Sequence, residues 1–382
     1  AWTGTAGTVL EKFAFASKAL DAKTPNGTSN YYRDVINTNS KYIWWMDHPS
    51  QPYTSNVVGS GASWGSVVTT SAYGNLTSNV TVSLSLGVSA APSDANFIAG
   101  YSIFSNSELY DVSLMPIADA NSTITNSVIS NVAEVRKDMV VFASPPKANV
   151  VNNSGSEASN IVSYRNGLTS SSYAVLDSGW KYQYDRYNDV YRWIPLNGDT
   201  AGLAVRTDFV ADPWFSPAGF NRGQIKNVVK LAYSPSATDR DTLYKAGINP
   251  VVTFPGQGTV LYGDKTLLAR PSAFDRINVR RLFIVLEKAI ATASKYQLFE
   301  FNDPFTRAQF KNLVEPFLRD VKGRRGITDY KVVCDETNNT QQIIDTNGFV
   351  ADIYIKPARS INFIQLNFIA TRTGISFQEV GA

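Results

Sequence analysis

The chain has 382 residues, of which 43% are hydrophobic, 12% aromatic and only 18% charged. At roughly 150 residues per domain the length allows two or three domains, and the composition excludes both a small stapled scaffold and a disordered, solvating chain. With 35 Lys plus Arg against 32 Asp plus Glu, the formal charge of +3 is too weak as a whole to point to nucleic acid or a membrane surface. A charged share below the usual ~25% instead suits an assembly subunit whose surface is covered by neighbours.

Residues 1–95 are rich in Ser, Thr, Asn and Gly, with alternating pieces such as Val80 to Leu86 whose period of two predicts strands with one wet face. From about residue 96 the pattern changes. Leu109 to Met115, within 107–117, predicts a strand, Ser122 to Arg136 a helix, and Asp138 to Phe142 a second, buried strand before Pro145 and Pro146. That is a βαβ unit, with a right-handed crossover expected. Aromatic-rich segments with Gly and Pro punctuation fill 173–232, and Val251 to Tyr262 reads as strand, Pro-Gly-Gln-Gly turn, strand.

The clearest helix follows Pro271 and Ser272, with Val279, Leu282, Phe283, Leu286, Ala289, Ile290 and Ala293 at helical spacing and Arg280, Arg281, Glu287, Lys288 and Lys295 at other positions. A second helix follows Asn302-Asp303-Pro304, with Phe310, Leu313, Val314, Phe317, Leu318 and Val321 as its apolar set and Gly323 as its stop. Pro316 lacks a backbone donor, so a kink is expected near residues 312–316. Strands are predicted at Tyr330 to Val333, Phe349 to Ile355 and Ile361 to Ala370. The expected fold class is mixed α+β over several domains, with no internal repeat.

No motif carries catalysis. Gly61-Ala62-Ser63-Trp64-Gly65 fits the nucleophile-elbow pattern, but that hydrolase needs its His after the Ser, and the only imidazole, His48, precedes it. A hydrolase using Ser63 stays as a remote alternative to a Gly-rich loop. One His and one Cys cannot assemble a zinc site, and no calcium loop is present. Pro255-Gly256-Gln257-Gly258-Thr259 lacks the Gly-Lys-Ser/Thr ending of a phosphate cradle, and the acid pairs Asp239 and Asp241, or Asp335 and Glu336, read as solvated loop charge. No enzyme, metal or cofactor is therefore expected. The lone Cys334 cannot close an intrachain disulfide, which makes a reducing cytosol the default. The six N-x-Ser/Thr sequons follow from composition, and no apolar run approaches the ~20 residues of a membrane span.

Two features remain as candidate surfaces. Between Phe305 and Gly326 the basic residues Arg307, Lys311, Arg319, Lys322, Arg324 and Arg325 face only Glu315 and Asp320, and 307, 311, 315, 319 and 322 form one helical stripe. That stripe is either a solvated face or a docking surface for an anionic partner. The other feature is the two-faced strand, with Ile361, Phe363 and Ile369 on one side and Ile364, Leu366 and Phe368 on the other. It is either an ordinary central strand or one that augments a sheet between subunits.

Specific strings go further. Ser216-Pro217-Ala218-Gly219, followed by Arg222 and Gly223, resembles the S-P-A-G-x-x-R-G signature of contractile phage tail sheath proteins. Asn249-Pro250-Val251, Ile277-Asn278-Val279-Arg280-Arg281-Leu282, Phe299-Glu300-Phe301-Asn302-Asp303 and Ile353-Tyr354-Ile355-Lys356-Pro357-Ala358 follow in the family's order, over about 96–382, and resemble most the major subunit of T-even-like phages. The resemblance implies a subunit that stacks as hexameric rings around a tail tube, contracts by rigid-body rearrangement and drives the tube through the host envelope for genome ejection. Its partners would be further copies, the tube protein, and baseplate and terminator proteins, with neither nucleic acid nor membrane insertion; its place would be the virion tail, after assembly in the host cytoplasm. A sheath subunit of a related injection or secretion system is the alternative.

The resemblance further implies a β-rich variable outer region at 1–95 as part of a discontinuous domain, an α/β middle domain at 96–272 and a tube-facing domain at 273–382 with two long helices and a small sheet open to strand augmentation. Residues 273–326 hold 11 Lys or Arg and 6 Asp or Glu, a local +5 that would meet an acidic tube. A complete subunit has an N-terminal segment that this sequence, which starts Ala-Trp-Thr without an initiator Met, is expected to lack.

Overall fold

The computed structural model describes residues 9–45, 67 and 91–362. The chain divides into two units, residues 1–90 and 91–382. In the first, α1 (Tyr32–Asn39) follows a loop pinned by single bridges, Ser17 to Tyr31 and Lys23 to Ser29. The Glu11 carboxylate accepts from the Ser40 hydroxyl at 2.6 Å and the Lys41 N–H at 2.7 Å, so residues 9–45 close on themselves. Within that stretch pairing is by single bridges; the alternating run at Val80 to Leu86, Ser63 and His48 lie outside the described residues.

The second unit opens with α2 (Asp94–Ser102), capped by Ser93, whose hydroxyl accepts from the Asn96 N–H. The predicted βαβ unit follows: β1 (Leu114–Pro116), α3 (Ser122–Val128), a π segment (Ile129–Ala133), α4 (Glu134–Arg136) and β2 (Val140–Ala143), parallel to β1. Asn121 starts the helix by accepting from the Ile124 N–H, and Lys137, in the left-handed region at φ 62°, ends it. β1 is shorter than its apolar run because Leu109 and Tyr110 stay exposed. After α5 (Lys147–Val150) and α6 (Glu157–Asn166), β3 (Ala174–Leu176) completes a parallel sheet in the order β1-β2-β3. Every residue of β2 is buried, which a strand covered on both faces requires.

An antiparallel region follows: β4 (Trp180–Asp185), β5 (Val190–Pro195), α7 (Asn197–Val210), β6 (Gln224–Ile225), β7 (Lys230–Leu231), α8 (Ala237–Lys245), β8 (Val251–Phe254) and β9 (Gly258–Leu261). They form two three-stranded sheets, β5-β4-β7 and β6-β9-β8, the second built on the predicted hairpin.

Then come α9 (Ile277–Ser294), α10 (Pro304–Gly323), β10 (Ile327–Val333), α11 (Gln341–Asp345) and β11 (Asp352–Pro357), with β10 and β11 paired antiparallel. Leu282, Leu286, Phe310, Val314, Leu318 and Val321 build the core between the two helices and this sheet. Three details depart from the periodicity. α10 runs continuously through Pro316, and Gly323 is its last residue. Leu313 is 47% exposed, while Arg280 and Arg281 are buried.

Asp177, just after β3, is fully buried between the parallel sheet and α7. Burial pushes its carboxyl up to about 8, although hydrogen bonds from the Gly179 N–H (2.9 Å) and the Ser144 hydroxyl (2.8 Å) favour the charged form. The folded value lies above the ordinary 3.8, so the unfolded chain releases this proton first as pH rises. Stability from this group is complete below pH ~4 and is lost toward pH ~8, at a slope of at most about 1.4 kcal/mol per pH unit. Thermal unfolding across pH 5–8 should show a falling midpoint that Asp177→Asn flattens; an equal slope in the variant would contradict the assignment.

Candidate functional site

The segment between α7 and β6 carries the signature residues, and its local chemistry explains each. The Arg222 guanidinium donates from Nε to the Ser216 carbonyl at 2.8 Å and lies 5.4 Å from the Phe215 ring centre. Pro217 is buried, and Ala218 packs toward Leu196, Leu203, Ile225 and Leu261. The backbone then grips β9: the Gly219 N–H donates to the Leu261 carbonyl (2.9 Å), and the Leu261 N–H donates to the Gly223 carbonyl (2.8 Å). Gly219 has φ +91°, and a Cβ on Gly223 would lie 2.8–2.9 Å from backbone atoms of Gly219 and Leu261. Ser216, Pro217, Ala218, Gly219, Arg222 and Gly223 thus form a clasp on the hairpin end, fitted by shape rather than by a ligand.

The neighbouring strings build a seam between this clasp and the helical pair. Trp214 donates its indole N–H to the Arg324 carbonyl at 3.0 Å, and a Cβ on Gly326 would sit 3.0 Å from the Trp214 ring. Arg324 is ion-paired with Asp212 and lies over the same ring, 5.3 Å from its centre. From the start of α9, Asn278 donates to the carbonyls of Trp214 (3.4 Å) and Ala358 (3.3 Å). The Nη2 of Arg281 donates to both carboxylate oxygens of Asp208 on α7 (2.6 and 2.5 Å), and Arg280 lies over the rings of Tyr173 and Phe274, 4.2 and 3.9 Å from their centres. Asn249 is fully buried, accepting from the Lys265 N–H at 2.7 Å and donating to the carbonyls of Lys265 and Leu176. The end of β11 is tied down as well: Ser360 donates to Asp264 (2.6 Å), as does Asn362 (2.9 Å).

The basic stripe on α10 is only partly a surface. Arg307 is 5% exposed, and its Nη1 has no hydrogen-bond partner among the described residues; with Thr306 it lies on the buried side of α10, so Arg307 drops out of the proposed contact set. Arg324 reaches the seam through Asp212 and the Trp214 ring, yet its side chain stays about half exposed. Lys311 pairs with Glu315 at 3.7 Å, and Lys322 pairs with Asp329 at 3.1 Å, whose carboxyl it holds below the ordinary range through that hydrogen bond. Arg319 and Arg325 are exposed, with Arg325 at φ 66° in the turn to β10. The outward basic group is therefore Lys311, Arg319, Lys322, Arg324 and Arg325.

Of the strand candidates, Ile361 is 81% exposed and outside any strand, while Phe363, Ile364, Leu366, Phe368 and Ile369 lie outside the described residues. Among the described residues, the β10-β11 sheet keeps one unpaired edge on each strand. Among the described residues no group of three or more His, Cys, Asp or Glu could hold a metal ion, and no helix is long and apolar enough to cross a membrane.

The seam and clasp make a direct prediction. Gly223→Ala and Gly326→Ala should each destabilise the fold by about 1–3 kcal/mol through overpacking. Gly202→Ala, in open space on α7, should stabilise it by about 0.5–1 kcal/mol. Denaturant melts that ranked the three alike would contradict the close approaches.

Comparison with known proteins agrees with this arrangement. The phage tail sheath protein central domain matches residues 104–267, and the phage tail sheath C-terminal domain matches 269–371. The tail sheath protein of Vibrio phage KVP40 is 54% identical over 273 residues (68% of this chain, 41% of the relative). That of Enterobacteria phage T4 is 46% identical over 318 residues (79% and 48%). That of Salmonella phage ViI is 39% identical over 378 residues (99% and 55%), so similarity extends into residues 1–95, where no signature string was legible. The chain spans about half the length of these relatives. In fold it is similar to the helical sheath of the anti-feeding prophage in its contracted state, with a TM-score of 0.60 and 18% identity over 74% of this chain and 76% of that one. A mixed α/β chain whose clasp and seam are built from the family's own strings, and whose residues 104–371 match both sheath domains, belongs to the phage tail sheath family.

Proposed function

We propose that this chain is a structural subunit of a contractile phage tail sheath, polymerising as stacked hexameric rings around the tail tube and contracting to drive the tube through the host envelope. The observation that carries the reading is the match of two consecutive sheath domains across residues 104–371, joined by a seam of buried polar contacts. Such a seam favours motion of whole subunits over bending between these parts, which is how a helical array switches between two packings. The energy of contraction would be stored at assembly, so the role is mechanical and asks for no enzyme, metal or cofactor. A sheath of a related injection system is the second reading, favoured by the fold likeness to the anti-feeding prophage sheath; the 54% identity to a phage protein weighs for the phage tail.

Within this reading, residues 1–95 contribute to an outer, discontinuous domain, 96–272 form the middle domain and 273–382 face the tube. Lys311, Arg319, Lys322, Arg324 and Arg325 meet an acidic tube surface. Residues 361–370 add a strand to a neighbouring copy's sheet, leaving from the anchor of Ser360 and Asn362 on Asp264. Other partners are baseplate and terminator proteins, and the subunit assembles in the host cytoplasm before residing in the virion tail.

Co-sedimentation with purified tail tubes tests the tube contact. The chain should pellet with tubes at low salt, release as salt rises, and lose binding at least tenfold when Lys311, Arg319 and Lys322 are all changed to Glu. Binding indifferent to both the reversals and salt would refute that surface. Electron microscopy tests the assembly itself: tubular polymers are expected, and monodisperse particles under every condition would count against it.

A further inference from the structure

The string Phe299-Glu300-Phe301-Asn302-Asp303 splits into two kinds of residue. Asn302 donates to the Gly348 carbonyl at 2.7 Å, and Asp303 caps α10 by accepting from the Thr306 N–H at 2.8 Å, so both anchor the turn between α9 and α10. The aromatic side chains do nothing comparable within the described residues. Tyr296, Leu298, Phe299, Phe301 and Phe305 are 63–105% exposed, five large apolar groups in ten residues. Phe299 is also held at φ 70°, a conformation that a bulky residue adopts only under strain, with its ring in the open.

A second apolar patch lies on α7. Val205, Phe209 and Val210 are 56–91% exposed on the face opposite the buried Ala201, Ala204 and Thr207. Arg206 lies among them, exposed and without an ion pair among the described residues. Asp208 ties this end of α7 to Arg281, near the start of α9, whereas the aromatic turn lies beyond the other end of that helix. At 1.5 Å per residue the two patches are about 20 Å apart along α9, too far for one to cover the other within a chain.

We propose that the aromatic turn of one copy packs on the α7 patch of the next, with Glu300 opposite Arg206; this rests on the sheath reading. A helical array is built from heterologous, head-to-tail contacts, which need two different and complementary patches on every subunit. The charges select this pairing. The turn carries the exposed Glu300 and the α7 patch the exposed Arg206, so the head-to-tail contact brings these unlike charges together, which neither patch set against its own copy does.

The test uses the 382-residue chain. Phe209→Cys and Phe301→Cys are made separately, each with Cys334→Ala, and oxidised alone and as an equal mixture. The mixture should give a covalent dimer at least fivefold above either variant alone; equal yields, or no cross-link, overturn the proposal. In sedimentation, Glu300→Arg and Arg206→Glu should each weaken self-association about tenfold, and the two together in one chain should restore it to within about threefold. Silent single changes, or a double variant no better than the worse single one, also overturn it. If the unsubstituted chain polymerises while the mixture fails to cross-link, this contact is wrong and the sheath reading stands, with the tube or another segment covering the rings. If the unsubstituted chain never self-associates, both fall.

Discussion

The first turn of α9 is where this structure is held together. Asn278, Arg280 and Arg281 are consecutive polar positions save one, and all three are buried. Each reaches a different part of the chain: the Trp214 and Ala358 carbonyls, the Tyr173 and Phe274 rings, and the Asp208 carboxylate. Buried charges are costly unless paired, and truncating one partner leaves the other stranded. The turn therefore specifies one arrangement of the helical pair against the central strands, since any slip would leave two guanidinium groups and an amide without partners.

Close backbone approaches reinforce that specificity. Gly223 lets the clasp touch the end of β9, and Gly326 lets the chain leaving α10 pass beneath the Trp214 ring. Trp214 thereby connects the clasp to the helical pair, through its own carbonyl to Asn278 and through its indole N–H to Arg324. A subunit that must change neighbours while keeping its own shape needs such internal rigidity. Its mobile contacts then belong on the outside, where the aromatic turn and the α7 patch lie.

Elements with strong periodicity were legible from sequence: α9, α10, the β8-β9 hairpin and the βαβ unit all stand where spacing puts them, because burying an apolar face requires that spacing. What escaped was the partner of each polar side chain. Arg280 and Arg281 look like solvated positions of an amphipathic helix, and only the distant Asp208 and Tyr173 reveal them as buried. Arg307 falls on a basic stripe by helical geometry, yet its own side chain packs inward. The apolar run Leu282 to Leu286 that follows Arg280 and Arg281 was the available signal, since a helix turn that is apolar on all sides is covered on most sides. For the surface strings, their resemblance to the family's pointed to the family but could not separate Asn302 and Asp303, which brace the fold, from the phenylalanines beside them, which face outward.

Native-state hydrogen exchange tests the central claim that the seam makes the central strands and the helical pair one cooperative body. Amides of β2 and β3 should exchange at the same opening free energy as those of β10 and the α9 turn, and Asn278→Ala should lower that value for both sets together. Exchange of β10 and β11 amides at a much smaller free energy than β2, unchanged by Asn278→Ala, would contradict it.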